Sequence, residues 1–140
     1  MKYTVSLITF AARVMATPEE DRVMSMPNMA DFDTWAFYSG YLPLINTGKK
    51  LHYLFLESQN DPANDPLIVW FNGGPGCSSM LGWAQEHGPY SMDAGTDFWR
   101  LNEYSWNNEA NVIYIESPGG VGYSTCSGAK ECSYTDDKSA

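Results

Sequence analysis

Basic residues, cysteine and histidine are all scarce in this chain, and each scarcity removes a class of function. Its 140 residues hold 8 Lys and Arg against 17 Asp and Glu, a formal net charge of -9. A nucleic-acid partner requires a basic face to neutralise phosphates, so no nucleic acid is expected. Three cysteines and two distant histidines form no metal-ligand spacing, so neither a metal nor any other cofactor is expected. Beyond a short N-terminal stretch nothing approaches the length of a membrane span, so no membrane anchor is expected. There is no internal repeat, no low-complexity tract and no Asn-x-Ser/Thr sequon.

The chain does hold enough apolar material for a core, 44% hydrophobic and 14% aromatic, in a length suited to one domain. It begins with Lys2, a mostly apolar stretch over residues 3–12, and the small-residue pattern Val14-Met15-Ala16 before the acidic "TPEED". Although Arg13 interrupts it, this order predicts a signal peptide over residues 1–16 and a mature chain over 17–140. A signal peptide places the chain in an oxidising compartment. Cys126 and Cys132, six residues apart, can then close a small loop, and Cys77 is left without a partner in the chain.

Residues 37–46 and 50–58 are rich in aromatic and branched side chains, and the intervening "NTGKK" is a turn, so a β-hairpin is predicted. Tyr38 and Tyr41 are expected to pack it. "QNDPANDP" is loop chemistry. "LIVWF" (residues 67–71) is a continuous apolar run of the kind found in strands buried on both faces of a parallel sheet. A Gly-rich turn and a short helix over 79–86 follow, with Ser78 and Ser79 as capping residues. "ANVIYIES" repeats the buried-strand pattern, and "PGGVGYS" is a second Gly-rich loop. There Asn111 is expected to cap the preceding turn, and Glu116 to be buried against loop amides for structural reasons. The order predicts an α/β fold in which an antiparallel hairpin leads into central parallel strands. Two central strands and one helix cannot cover such a sheet, so the chain reads as the N-terminal, incomplete part of a larger domain.

The loop "NGGPGCSS", between strand and helix, has the geometry of an anion holder, because backbone N–H groups converge there with a helix N-terminus. A dinucleotide loop is excluded: Ser79 stands where the third glycine belongs and Pro75 lacks a donor. A Walker loop is excluded because no Gly-Lys-Ser/Thr is present. An oxyanion fits better, since the loop after the third strand of α/β-hydrolases supplies an oxyanion-hole N–H. A tight turn without a ligand also remains open.

"WFNGGPGCSSMLGWAQEHGPY" resembles the serine carboxypeptidase family. "YSGYLPL", "LHYLFLESQNDPANDPLIVW" and "YSWNNEANVIYIESPGGVGYS" resemble successive segments of that family, in family order, from about Asp21 to Ser124. The resemblance implies the N-terminal part of an α/β-hydrolase fold. It implies that Asn72 and the Gly73 N–H bind the free C-terminal carboxylate of a peptide, the substrate partner. Trp70 would orient Asn72, the Gly74 N–H would be half of the oxyanion hole, and Glu86 would join the carboxylate network. Cys77 would pair with a cysteine much later in the chain. Two neighbouring carboxylates do not both ionise cheaply, so a glutamate and a substrate terminus share a proton, and hydrolysis is expected to favour acid pH. The implied destination is the secretory pathway, either secretion or a lysosome or vacuole.

The same family uses a Ser-Asp-His triad with its nucleophile in a Gly-x-Ser-x-Gly elbow. No such elbow occurs: Gly76-Cys77-Ser78-Ser79-Met80 ends in Met and Gly122-Tyr123-Ser124-Thr125-Cys126 ends in Cys. His52 precedes every candidate serine and is expected to be structural, half-buried or at a sheet edge. His87 is expected to be a turn residue able to tune Glu86. The implied function is a serine-type carboxypeptidase, with this chain alone inactive because the nucleophile, acid and base are missing. Two alternatives stand beside it. One is a non-catalytic protein that binds peptide carboxylates; the other is a related acyltransferase, which the presence of Asn72 disfavours.

Overall fold

The structure, a computed structural model, describes residues 19–29, 32, 36–92, 95, 97–128 and 132. The signal peptide expected over residues 1–16 lies outside them. Two runs of alternating large side chains make the predicted hairpin. Strands β1 (Phe37–Pro43) and β2 (Lys50–Leu56) pair antiparallel, from Phe37 opposite Leu56 to Pro43 opposite Lys50. Asn46 and Gly48 adopt positive φ in the connecting turn, as a tight reversal requires. The third strand in sequence, β3 (Leu67–Trp70), runs parallel to the last one, which we number β6 (Asn111–Ile115). Since β6 also pairs antiparallel with β2, the sheet order is β1-β2-β6-β3. The predicted mixed sheet is therefore observed, but among the described residues its parallel pair, β6 with β3, lies at one edge and not at the centre.

The two-residue period of the strands sorts the core. Phe37, Leu54, Leu56, Val112 and Tyr114 face one side, where Trp83 and Tyr90 close over them. Tyr38, Tyr53 and Phe55 face the other side with Ile113 and Ile115. Tyr38 thus packs the hairpin as expected. Tyr41 is half-exposed and meets the His52 ring edge-to-face.

Four further sequence expectations are corrected. First, β3 is not buried on both faces: Leu67 and Val69 are about half exposed, and only Ile68 and Trp70 turn toward the core. Among the described residues β3 has β6 as its single strand neighbour, and no helix covers its outer face. Second, the helix over 79–86 is a single α-turn, α1 (Met80–Gly82), continued by one π-turn (Trp83–His87), which ends where Gly88 becomes extended. Third, the capping role holds for Ser78 alone, whose Oγ accepts the Met80 N–H at 3.2 Å. The Ser79 hydroxyl instead accepts the Asn72 N–H at 3.1 Å and donates to the Ile115 carbonyl at 2.6 Å, tying the loop to β6. Fourth, Asn111 does not cap its own preceding turn. Its amide spans to residues 58–65, accepting the Ser58 N–H and donating to the Pro62 and Asp65 carbonyls.

The connector after the π-turn holds a small hairpin that the sequence did not reveal, β4 (Tyr90–Met92) with β5 (Trp99–Leu101). Three-residue strands are too short for a period-two pattern to stand out. Cys126 and Cys132 form the expected disulfide, and Cys77 is an exposed free thiol. Among the described residues no helix is long and apolar enough to cross a membrane.

Candidate functional site

Loop 71–79 leaves the end of β3 and returns at α1. Its glycines have steric work to do. Gly74 sits at φ +134°, and a Cβ there would lie 3.0 Å from the Gly76 nitrogen and 3.2 Å from that of Cys77. The loop is closed by the Cys77 N–H donating to the Gly73 carbonyl at 3.3 Å. Gly73 is different: a Cβ there would meet nothing within 4 Å, so its backbone faces open space.

Trp70 and Asn72, two residues apart, fall on the same side of the chain. The Trp70 indole Nε1–H donates to Asn72 Oδ1 at 2.7 Å. An indole nitrogen only donates, so this bond fixes which end of the amide faces inward. Asn72 Nδ2, with its two protons, is turned the other way and makes no hydrogen bond among the described residues. The Asn72 side chain is half-buried, while Gly73, Gly74 and Gly76 are exposed. The site therefore presents amide donors on a glycine rim, a set that suits a carboxylate or another anion.

Glu86 lies on the exposed side of the π-turn. No hydrogen bond joins it to Trp70 or Asn72, and its carbonyl accepts a long bond from Asn102 at 3.5 Å. Its charge is nonetheless felt at the neighbouring His87 and Tyr114. The structure thus brings Trp70, Asn72, Gly73 and Gly74 together and leaves Glu86 outside that hydrogen-bonded set.

Behind Trp70 lies an aromatic pocket that the sequence did not foretell. His87 ends the π-turn, as a turn residue should, but it is 6% exposed and stacked on Trp106, with ring centroids 4.0 Å apart and planes 12° from parallel. Its Nδ1 is 3.0 Å from the Tyr114 hydroxyl. Burial pulls the imidazole below its ordinary range, with the Glu86 charge opposing in part. Burial likewise pushes the Tyr114 phenol up. Gly82 was missed by the sequence analysis altogether. A Cβ there would lie 2.5 Å from Trp70 Nε1 and 3.1 Å from Asn72 Oδ1, so only glycine lets α1 sit on this pair. The available signal was an isolated glycine inside a short helical run, which marks a close approach.

Glu116, directly after β6, is fully buried, as the sequence suggested, and accepts a loop amide, the Tyr123 N–H, at 2.7 Å. It also binds the Ser78 hydroxyl and His52 Nδ1, the latter at 3.0 Å. His52 is buried in β2, with its Nε2 2.9 Å from Ser39 Oγ. The Ser78 hydroxyl is engaged with a carboxylate and a backbone amide, not with an imidazole. Ser39, His52 and Glu116 do form a serine–histidine–carboxylate chain, but it belongs to the packing of the sheet: Ser39 lies within β1, not on a strand-to-helix elbow, and His52 and Glu116 are buried.

Residues 27–140 match the serine carboxypeptidase family. The mouse (Mus musculus) lysosomal protective protein is 45% identical over 132 residues, which is 94% of this chain and 26% of that protein. Carboxypeptidase Y of Candida albicans is 48% identical over 103 residues, 74% of this chain and 19% of its own length. Among solved structures, Kex1(delta)p, a prohormone-processing carboxypeptidase from Saccharomyces cerevisiae, superposes with a TM-score of 0.58 at 31% identity. That superposition covers 66% of this chain and 21% of the other. The chain spans only a fifth to a quarter of the length of these relatives, and its mixed sheet is the N-terminal part of an α/β-hydrolase fold. With the family match extending from residue 27 to residue 140, the chain belongs to the serine carboxypeptidase family.

Proposed function

We propose that this chain carries the substrate-anchoring part of a serine-type carboxypeptidase, a hydrolase that releases C-terminal residues from peptides and proteins. The observation that carries the reading is the 2.7 Å bond from the Trp70 indole to Asn72 Oδ1. It aims Asn72 Nδ2 at the glycine rim, where a peptide's terminal carboxylate needs donors. Asn72 Nδ2 and the Gly73 N–H take that carboxylate, and Glu86 supplies a further polar group at the same end. Neutral donors satisfy the charge without adding a full positive one. The Gly74 N–H then points at the scissile carbonyl and stabilises the oxyanion that forms when a serine attacks. The attacking serine, its histidine and its aspartate are not supplied by these residues, so they bind and do not cut. Catalysis belongs to a protein in which this chain is joined to that triad. The secretory pathway, ending in secretion or in a lysosome or vacuole, is the proposed location. The mouse relative's name and the N-terminal pattern of Lys2 and Val14-Met15-Ala16 support it.

The test is binding of an N-acetylated dipeptide as the free acid and as its C-terminal amide, followed calorimetrically. A charge-assisted hydrogen bond is worth about 1.5–3 kcal/mol, so the acid should bind tighter by about tenfold or more. Asn72→Ala should erase that preference. Equal affinities for acid and amide in the wild-type chain overturn the reading. A serine-reactive fluorophosphonate should leave the 140-residue chain unlabelled. Stoichiometric labelling of Ser78 would show that a nucleophile is present after all.

A further inference from the structure

We propose that His87 is a positioning residue for carboxylate recognition: it holds the Trp70 ring, and through it the orientation of the Asn72 amide. The proposal rests on the carboxylate-binding reading above, but its physical link, His87 to Trp70 to Asn72, exists without any ligand.

An asparagine amide has two orientations of nearly equal volume. In one, Nδ2 faces the glycine rim and offers protons to a carboxylate. In the other, Oδ1 faces the rim and repels it. Trp70 selects the first orientation only while its indole N–H stays within hydrogen-bond reach of Oδ1, now 2.7 Å away. Trp70 lies on the outermost described strand of its sheet, with one side of that strand bare, so the sheet alone does not hold its ring.

The ring is held from the turn that follows. Gly82 lies directly against the indole nitrogen. His87, one helical turn and a half further on, meets the Trp70 ring edge-to-face at 4.4 Å and 74°. Trp106 completes the box, stacked on His87 and perpendicular to Trp70 at 5.5 Å. His87 cannot swing away. Tyr114 stacks on it at 5.5 Å and 14°, and the Tyr114 hydroxyl takes its Nδ1. Its Nε2 is buried and has no hydrogen-bond partner among the described residues. A buried polar atom left unsatisfied is costly, and a phenylalanine would fill the same space without it. The polar ring does what a phenylalanine would not: one bond to β6 fixes its rotation, so the face it offers to Trp70 is defined.

The experiment uses the whole 140-residue chain. The Trp70 indole N–H resonance, assigned with Trp70→Phe, is followed in a 15N-labelled sample of wild type, His87→Ala and Tyr114→Phe. The two peptides, acid and amide, are then titrated into each. In folded His87→Ala the Trp70 indole N–H should move upfield as its bond to Oδ1 is lost. The acid-over-amide preference should fall about tenfold, the value of that charge-assisted contact. Tyr114→Phe removes only the hydroxyl that fixes His87 and should shift both readouts the same way by a smaller amount. An unmoved indole resonance in folded His87→Ala overturns the proposal, as does an unchanged acid preference. If His87→Ala does not fold, Tyr114→Phe decides, and no change in its resonance overturns the proposal. If wild type shows no acid preference, it is the carboxylate reading that has failed. The indole resonance in the variants then still decides whether His87 positions Trp70.

Discussion

At the scale of single residues the site turns on one amide and what sets its direction. Trp70 and Asn72 were singled out in the sequence by the family resemblance, and they are two positions apart at the end of a strand, where side chains share a face. Their bond is then a local matter. Gly82 and His87 act on the same pair from 10 to 17 residues away, and nothing local announces them. Their roles exist only because the α-turn and π-turn fold back over β3. The steric half of this arrangement has a sharp consequence. Gly82→Ala places a methyl group 2.5 Å from a rigid indole nitrogen that has no room to yield. Overpacking of this kind costs about 1–3 kcal/mol. The variant should melt several degrees lower and should also lose the acid preference in peptide binding, because the indole is displaced from Oδ1. A variant with wild-type stability and binding would mean that α1 shifts to absorb the methyl.

At the scale of elements, the two glycine loops are one unit. Residues 71–79 and 117–124 follow β3 and β6, which are parallel neighbours, so the loops emerge at the same sheet edge. Glu116 joins them. It takes the Ser78 hydroxyl from the first loop and the Tyr123 N–H from the second, while His52 holds it from β2. Ser124 doubles the tie, donating to the Glu116 carbonyl at 2.6 Å and accepting the His52 N–H at 2.8 Å. Replacing Glu116 by Gln keeps the volume but puts an NH2 group where three donors converge. The amide keeps its oxygen on the Tyr123 N–H and His52 and turns its NH2 to the Ser78 hydroxyl, which must then accept and gives up its bond to a carboxylate, a loss of about 1–3 kcal/mol. Glu116→Gln should therefore lower the midpoint of urea unfolding. Amide exchange should speed up selectively at Tyr123 and at the Ser78–Met80 turn, and not in the β1–β2 hairpin. Uniform acceleration would show that Glu116 supports the whole sheet and not the loops. The burial of Glu116 was legible in the sequence from its place at the end of an apolar run. So was a loop amide as its partner; Ser78 and His52 were not, because 38 and 64 residues separate them from it.

At the scale of the whole molecule, the buried imidazole makes stability depend on pH. His87 has its pKa lowered below the ordinary 6.5, first by burial, with the Glu86 charge opposing. Tyr114, facing it from β6, stays neutral throughout this range because burial raises its own pKa. Between the lowered value and 6.5 the unfolded chain binds a proton that the folded chain does not. The stability contribution is therefore complete above about pH 6.5 and is lost as pH falls through the folded-state value. His87→Phe removes this dependence. Melting temperatures measured from about pH 8 down to about pH 5 should fall more steeply for wild type than for the variant. Parallel curves would show that His87 keeps its ordinary affinity for protons in the fold.

The sequence by itself determined the β1–β2 hairpin, the two apolar strands β3 and β6, the small disulfide loop and the glycine turn after β3. Each of these depends on residues near one another in the chain, where period, turn chemistry and spacing are direct physical signals. Only the tertiary structure decided which residues stand behind that turn. It put His87 in an aromatic box and Gly82 against the indole, made Glu116 the knot of two loops, and left one face of β3 bare. Those outcomes depend on how separate elements close on each other, and a side chain's burial and partners are properties of that closure, not of its neighbours in sequence.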